Sequence, residues 1–208
     1  MKFVVISDTH GKHSLLDLPA GDVIIHAGDV STLGRVNEIT EFLNWFSSLK
    51  YQYKIFIAGN HDFFFEKNSP KEVFSLIPPE IIYLNDNGIE IEGLNIWGSP
   101  VTPWFNNWAF NRQRGVDIRT HWAQIPKNTQ ILITHGPPYR ILDETVSKIH
   151  VGCKDLFNIA EEIKPLYHLF GHVHEGYGMM KRGGTTFINA SVLDASYKLE
   201  NDPVVFEI

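Results

Sequence analysis

The sequence predicts an α/β fold on three observations. Short apolar, β-branched segments recur along the chain, helical or loop material separates them, and polar motifs follow their carboxyl ends. The expected strands are Phe3–Ile6, Val23–His26, Lys54–Ile57, Ile131–Thr134, Leu166–Phe170, Thr185–Ile188 and Val204–Ile208, which read as buried on both faces or nearly so. Between them, Val36, Ile39, Phe42, Leu43, Phe46 and Leu49 fall at three- and four-residue spacings, which predicts an amphipathic helix from Val36 to Lys50. A second helix is expected over about 154–164, with Leu156, Phe157, Ala160 and Ile163 inward. The alternating run IEIEGLNIW, with Glu92-Gly93 at its centre, reads as a hairpin between Gly88 and Gly98. Pro78-Pro79 and Pro137-Pro138 look like rigid loop corners.

Composition sets outer bounds. A length of 208 residues suits one domain over residues 1–208, and 43% hydrophobic with 12% aromatic residues supplies a large core. No apolar run approaches the roughly 18 residues of a membrane span, and the opening MKFVVISDTHG meets an acidic residue too early for a secretory signal. A cytoplasmic location is therefore expected. Cys153 is the only cysteine, which excludes an intrachain disulfide and a thiolate metal site. The formal charge of −6 argues against duplex DNA or an anionic membrane as partner.

Five of the expected strands end in metal-binding residue types: Asp8-Thr9-His10, Gly28-Asp29, Gly59-Asn60-His61-Asp62, Thr134-His135-Gly136 and Gly171-His172-Val173-His174. Singly, each reads as a helix cap, a turn or a satisfied polar residue. If the segments are extended, Asp8 with His10, and His172 with His174, project the same way, and the adjoining glycines permit close backbone approach. The pooled nitrogen and oxygen donors are too many for one four- to six-coordinate ion and suit two ions that share a carboxylate bridge. Two divalent ions offset by Asp8, Asp29 and a bridging hydroxide leave the pocket at about +1, able to attract phosphate in an acidic protein.

The ordered motifs DTH, GD, GNHD, TH and GHVH resemble those of the calcineurin-like metallophosphoesterase superfamily. The stretches WGSPVTPWFNNWAFN, HGPP, HVGC and FINAS further resemble its small metallophosphoesterase-domain-containing subgroup. The resemblance implies a four-layer sandwich of two mixed β-sheets flanked by helices, with a dinuclear site at the strand ends. It also implies that Asp8, His10, Asp29 and His174 hold one ion, that Asp29, Asn60, His135 and His172 hold the other, and that Asp29 bridges. His61 is implied to be a non-ligand that contacts phosphate and assists the leaving group. Manganese is the first expectation for the ions, with Fe, Co, Ni or Zn also accepted by such donors.

The expected reaction is hydrolysis of phosphodiesters, cyclic or other small nucleotides foremost, by a metal-bridging hydroxide. Arginines that Ser/Thr protein phosphatases carry near GD and GNH are absent, and Thr32 stands where purple acid phosphatases have a ligand tyrosine. With few fixed cations, a monoanionic diester is the better electrostatic match. The rival reading is a nucleotide-binding sensor or scaffold that turns over slowly. A small phosphodiester or nucleotide is the expected partner, and a homodimer is compatible with the sequence.

Weaker signals complete the reading. Trp104 and Phe105, in an aromatic segment with Trp97, Trp108 and Phe110, are candidates for base stacking as well as for packing under a loop. His13 and Arg140 are candidate substrate contacts, Asp62 is a turn residue or a partner for His61, His121 fits a helix surface, and His26 and His168 fit hydrogen-bonded core positions. Cys153 with His150 lacks an evident third group for nucleophilic catalysis and reads as a buried thiol.

Overall fold

The computed structural model describes residues 1–208 and contains two large mixed sheets. The first sheet has the order β13-β1-β2-β3-β4, built from β1 (Lys2–Ile6), β2 (Val23–Ala27), β3 (Tyr53–Ile57), β4 (Ile81–Leu84) and β13 (Val204–Glu207). Its members are parallel except β13, which pairs antiparallel with β1 at Phe3↔Phe206. The second has the order β11-β12-β10-β9-β6-β5, from β5 (Asn87–Ile91), β6 (Leu94–Ser99), β9 (Ile131–Thr134), β10 (Tyr167–Phe170), β11 (Gly178–Arg182) and β12 (Thr185–Asn189). Its edge strands β11 and β5 run antiparallel to their neighbours. A short parallel ribbon pairs β7 (Thr102–Pro103) with β8 (Asn111–Arg112).

Alternation along the strands decides the layers. Phe3, Val5, Ile25, Ile55 and Ile57 of the first sheet share one buried cluster with Ile96, Ile131, Ile133, Leu169 and Ile188 of the second, so the sheets face each other. The opposite face of the first sheet, with Val4, Ile6, Ile24 and Phe56, packs on Ile39, Phe42, Leu43 and Phe46 of α1 (Val36–Ser48), on Phe65 of α2 (Phe63–Lys67) and on Val73 of α3 (Pro70–Leu76). Behind the second sheet, Leu132 packs on Ile118 and Trp122 of α4 (Val116–Trp122) and Leu156 of α5 (Lys154–Ile163), while Phe170 and Phe187 pack on Ala160 of α5. Helices, sheet, sheet and helices make the four layers.

Local chemistry explains the element ends. Glu38, in the first turn of α1, accepts the backbone N–H groups of Thr32, Leu33 and Arg35, fixing the loop after the Gly28-Asp29 motif. Ser69 and Glu72 form a capping box on α3. The β5–β6 hairpin turns at Glu92 and Gly93, both with positive φ (50° and 80°), the conformation of a two-residue primed turn. Cys153 caps α5, its sulfur accepting Leu156 N–H at 3.4 Å.

Candidate active site

The site is built on loops at the carboxyl ends of β1, β2, β3, β9 and β10. The loop after β1 pairs with the loop after β2 through Asp8 N–H to Gly28 O (2.9 Å), His10 N–H to Asp29 O (3.1 Å) and Gly11 N–H to Val30 O (3.1 Å). Asp62 staples the loop after β3 to the loop after β2: its buried carboxylate accepts Gly59 N–H (2.8 Å), Val30 N–H (3.1 Å), Ser31 N–H (2.9 Å) and Ser31 Oγ–H (2.6 Å). Burial, with the charge of Asp29, pushes this carboxyl up to about 6. Two glycines are dictated by crowding. A Cβ on Gly59 would collide with Asp29 N and Oδ1, and one on Gly171 with Asp8 Oδ2.

These loops bring the metal-binding types into three overlapping groups whose donor atoms lie within 4.8 Å of one another: Asp8, His10 and His174; His10, Asp29 and His61; and Asp29, His135 and His172. Asp29 Oδ2 stands 3.6 Å from His10 Nε2 and 3.3 Å from His135 Nε2, and Asp8 Oδ1 stands 3.5 Å from His174 Nε2. Asn60 Oδ1 faces His135 Nε2 at 3.0 Å. The extended geometry expected for the motifs does not occur: Asp8, His10, Asp29 and His172 all have positive φ, between 43° and 68°. The chain turns at each, so His172 and His174 diverge into different groups instead of projecting together.

Hydrogen bonds behind the rings fix which nitrogen faces the cluster. His135 Nδ1 donates to Ala27 O (2.9 Å) and His174 Nδ1 to Asp194 O (3.0 Å), leaving both Nε2 atoms inward. Both ring nitrogens of His10 are buried without a hydrogen-bond partner. Lone pairs from imidazole, amide and carboxylate thus converge on one small volume, an arrangement that fits divalent cations. In the metal-free chain, protons take that role. Burial pushes His135 and His174 down, but the carboxylates of Asp29 and Asp8 outweigh it and hold both rings up to about 9. Burial likewise pushes Asp8 and Asp29 up, yet His174 for the former and His135 for the latter pull each well below the usual carboxylate range. His172, desolvated and beside His135, falls to about 4.

Above the cluster lies a cavity of about 440 Å³. His61 lines it in a turn, not in extended chain; its Nδ1 donates to Thr32 O at 2.7 Å and its ring stacks on Trp108, centroids 4.2 Å apart at 26°. Asp62 makes no hydrogen bond to the His61 ring, its oxygens being taken by Gly59, Val30 and Ser31. The aromatic segment divides: Trp97 belongs to β6 and Phe110 is core, whereas Trp104 (49% exposed), Phe105 and Trp108 line the cavity. Phe105 lies edge-on to His172 at 5.1 Å. Among the liners that sequence reasoning missed are Trp108 as the partner of His61, Arg114, Glu175, and Tyr197, whose ring meets His10 and His174 at 5.1 and 4.9 Å. Only Trp108 carried a signal, in its aromatic neighbours.

Other expectations change or hold. His13 is buried against Phe42 and Trp45 behind the site, and Arg140 is exposed over Tyr139, so neither lines the cavity. His121 is no free surface residue, since it bonds Asp86 Oδ2 at 2.6 Å and accepts from Arg112 Nε at 3.2 Å. His26 bonds Thr9 Oγ1 and His168 bonds Thr134 Oγ1, both at 2.9 Å in the core. His150 pairs with Asp143 at 2.7 Å, and the Cys153 thiol is buried.

A family model described as calcineurin-like phosphoesterase matches residues 1–176. The chain belongs to that family. Metallophosphoesterase domain-containing protein 1 of Homo sapiens is 40% identical over 230 residues, covering 100% of this chain and 71% of the human protein. Among solved structures, phosphopantetheinyl hydrolase of Mycobacterium tuberculosis matches with a TM-score of 0.63 at 16% identity over 94% of this chain and 90% of that one. A novel archaeal phosphodiesterase matches with a TM-score of 0.50 at 18% identity over 99% and 100%. At such identities these two show the shared fold. Calcineurin-like phosphoesterases are divalent-metal-dependent hydrolases acting on phosphoesters. No helix of this member is long and apolar enough to cross a membrane.

Proposed function

We propose that the chain is a single-domain phosphodiesterase acting on small nucleotides, cyclic ones foremost. The observation that carries this reading is the run of three overlapping donor groups, linked through His10, whose ring nitrogens have no hydrogen-bond partner, and through Asp29. Asp8, His10, Asp29 and His174 would hold one divalent ion, and Asp29, Asn60, His135 and His172 the other. Asp29 is the residue suited to be shared: His10 Nε2 at 3.6 Å and His135 Nε2 at 3.3 Å both stand near its Oδ2, while Oδ1 accepts His61 N–H at 2.8 Å. When bound, such ions supply the Lewis acidity that withdraws charge from a phosphoryl group and makes water a usable nucleophile near neutral pH.

The remaining chemistry belongs to the chain. With Nδ1–H donated to the Thr32 carbonyl, which can only accept, the neutral ring turns a lone pair at Nε2 to the cavity, so it is as the imidazolium that His61 contributes a proton at Nε2. The Trp108 stack fixes the ring plane, so that proton is aimed into the cavity at the departing oxygen. Asn60 and His61 stand where a phosphate oxygen enters, and Trp104 offers an exposed face for a nucleobase. With His61 in the acid role and few fixed cations, a monoanionic diester is the best-matched substrate. The test is a metal-dependent screen of purified protein across bis-aryl phosphate, aryl monophosphate, and 2′,3′- and 3′,5′-cyclic nucleotides. Diester turnover above monoester turnover is expected; the reverse order, or nucleotide binding without product, overturns the reading.

A further inference from the structure

Arg114 is the one Lys or Arg that lines the cavity. Its guanidinium is anchored to backbone, Nη1 donating to Gly152 O at 2.8 Å and Nη2 to Val151 O at 2.6 Å. Of the five N–H donors of a guanidinium, these use two. It makes no ion pair with any carboxylate, whereas its neighbours are neutralised, Arg112 by Glu66 and Arg119 by Asp155. A held, unpaired positive charge therefore faces a cavity in a protein of net charge −6.

Chain connections place this charge on one flank of the site. Trp104 N–H donates to Arg112 O at 2.8 Å, so the β7–β8 ribbon ties the chain two residues before Arg114 to the aromatic wall. Val151 and Gly152, the anchors, run into Cys153, which bonds Pro137 O at 3.0 Å, two residues after His135. Phe105 packs edge-on against His172, centroids 5.1 Å apart. The guanidinium lines the same cavity as His172, Phe105 and Trp104, so a substituent that passes over these rings from a phosphoryl group near His172 shares that cavity with it.

We infer that Arg114 forms a second anion subsite, which selects phosphodiesters whose planar substituent carries a further anionic oxyacid group, a carboxylate or a phosphate, at the end remote from the scissile bond. This rests on the phosphodiesterase reading and adds its substrate class. A guanidinium suits both oxyacids because paired N–H groups match paired oxygens.

The test is calorimetric binding of non-hydrolysable phosphonates to Mn²⁺-loaded protein. Matched probes carry a carboxylate, its uncharged methyl ester or a second phosphonate, with one or two aromatic rings as spacer. In the wild type one spacer length should give a carboxylate-to-ester affinity ratio of about ten, the worth of one exposed charge-assisted hydrogen bond, and the ratio should shrink as salt rises. Arg114→Met should bring that ratio near one, and Arg114→Lys should keep part of it. Because the ratio is taken within each protein, a general loss of stability does not imitate the effect. A wild-type ratio near one at both lengths, or a ratio that survives Arg114→Met, overturns the subsite. The bis-phosphonate arm tells phosphate from carboxylate preference. Failure of the parent reading would appear separately, as absent diester turnover with the ratio intact.

Discussion

His61 is held at Nδ1 by Thr32 O and stacked on Trp108, which leaves one ring edge for chemistry. If that edge protonates the leaving oxygen, His61→Ala should lower kcat by about 10² to 10⁴ while two metals stay bound. The loss should be larger for a ribose leaving group than for nitrophenolate, which departs without much protonation; equal losses in steady-state kinetics would contradict the acid role. His135 and His174 make a second prediction at this scale. Both are raised from the ordinary histidine value to about 9 in the metal-free chain, so the folded state binds more protons than the unfolded one between about pH 6.5 and 9. Their contribution is fully present below 6.5 and is lost as pH rises through 9. Chelator-treated protein should therefore melt at lower temperature at pH 9 than at pH 7. Loading Mn²⁺ at pH 7 should release protons from these two rings, visible as a buffer-dependent calorimetric heat.

The elements that matter for function are the loops and their fasteners. Asp62 serves four donors on two loops, and Asn in its place can accept from two while presenting an amide to the others. Asp62→Asn is expected to cost about 2–4 kcal/mol in denaturant unfolding, from lost hydrogen bonds and opposed donors. It should also weaken metal binding through Asn60, two residues away. In the aromatic loop, Trp104→Ala is the clean test of stacking, because Phe105 also leans on His172. It should raise KM for nucleotides more than for bis-aryl phosphate, by the roughly 1–3 kcal/mol of one stacked base; equal changes would assign the ring to packing. The loops that carry the candidate ligands were legible in sequence because their residue types are chemically unusual after apolar strands. Their shape was not, since left-handed turns at Asp8, His10 and His172 are imposed by hydrogen bonds from distant loops, such as His172 N–H to both oxygens of Asp8.

Across the whole molecule, the inter-sheet core follows from strands whose continuous apolar character was plain, and seven expected strands, both helices and the hairpin occur where periodicity placed them, to within a few residues at their ends. β11 went unseen because its Met179 and Met180 are exposed on an edge strand, and α4 because Gly115 begins it in place of an ordinary cap. β4 and α3 also went unseen, although the Ser69–Glu72 capping box of α3 is a sequence signature. Arg114 and Tyr197 could not be assigned to the cavity, since only the tertiary fold brings them beside loops far away in sequence. Under the proposed function, the strand-end loops hold two ions through Asp29. Elemental analysis of protein reconstituted with Mn²⁺ tests it most directly, paired with Asp29→Ala checked for native circular dichroism. Two ions per chain in the wild type and loss of both in the folded variant are expected; one ion in the wild type, or a variant that keeps both, would contradict it.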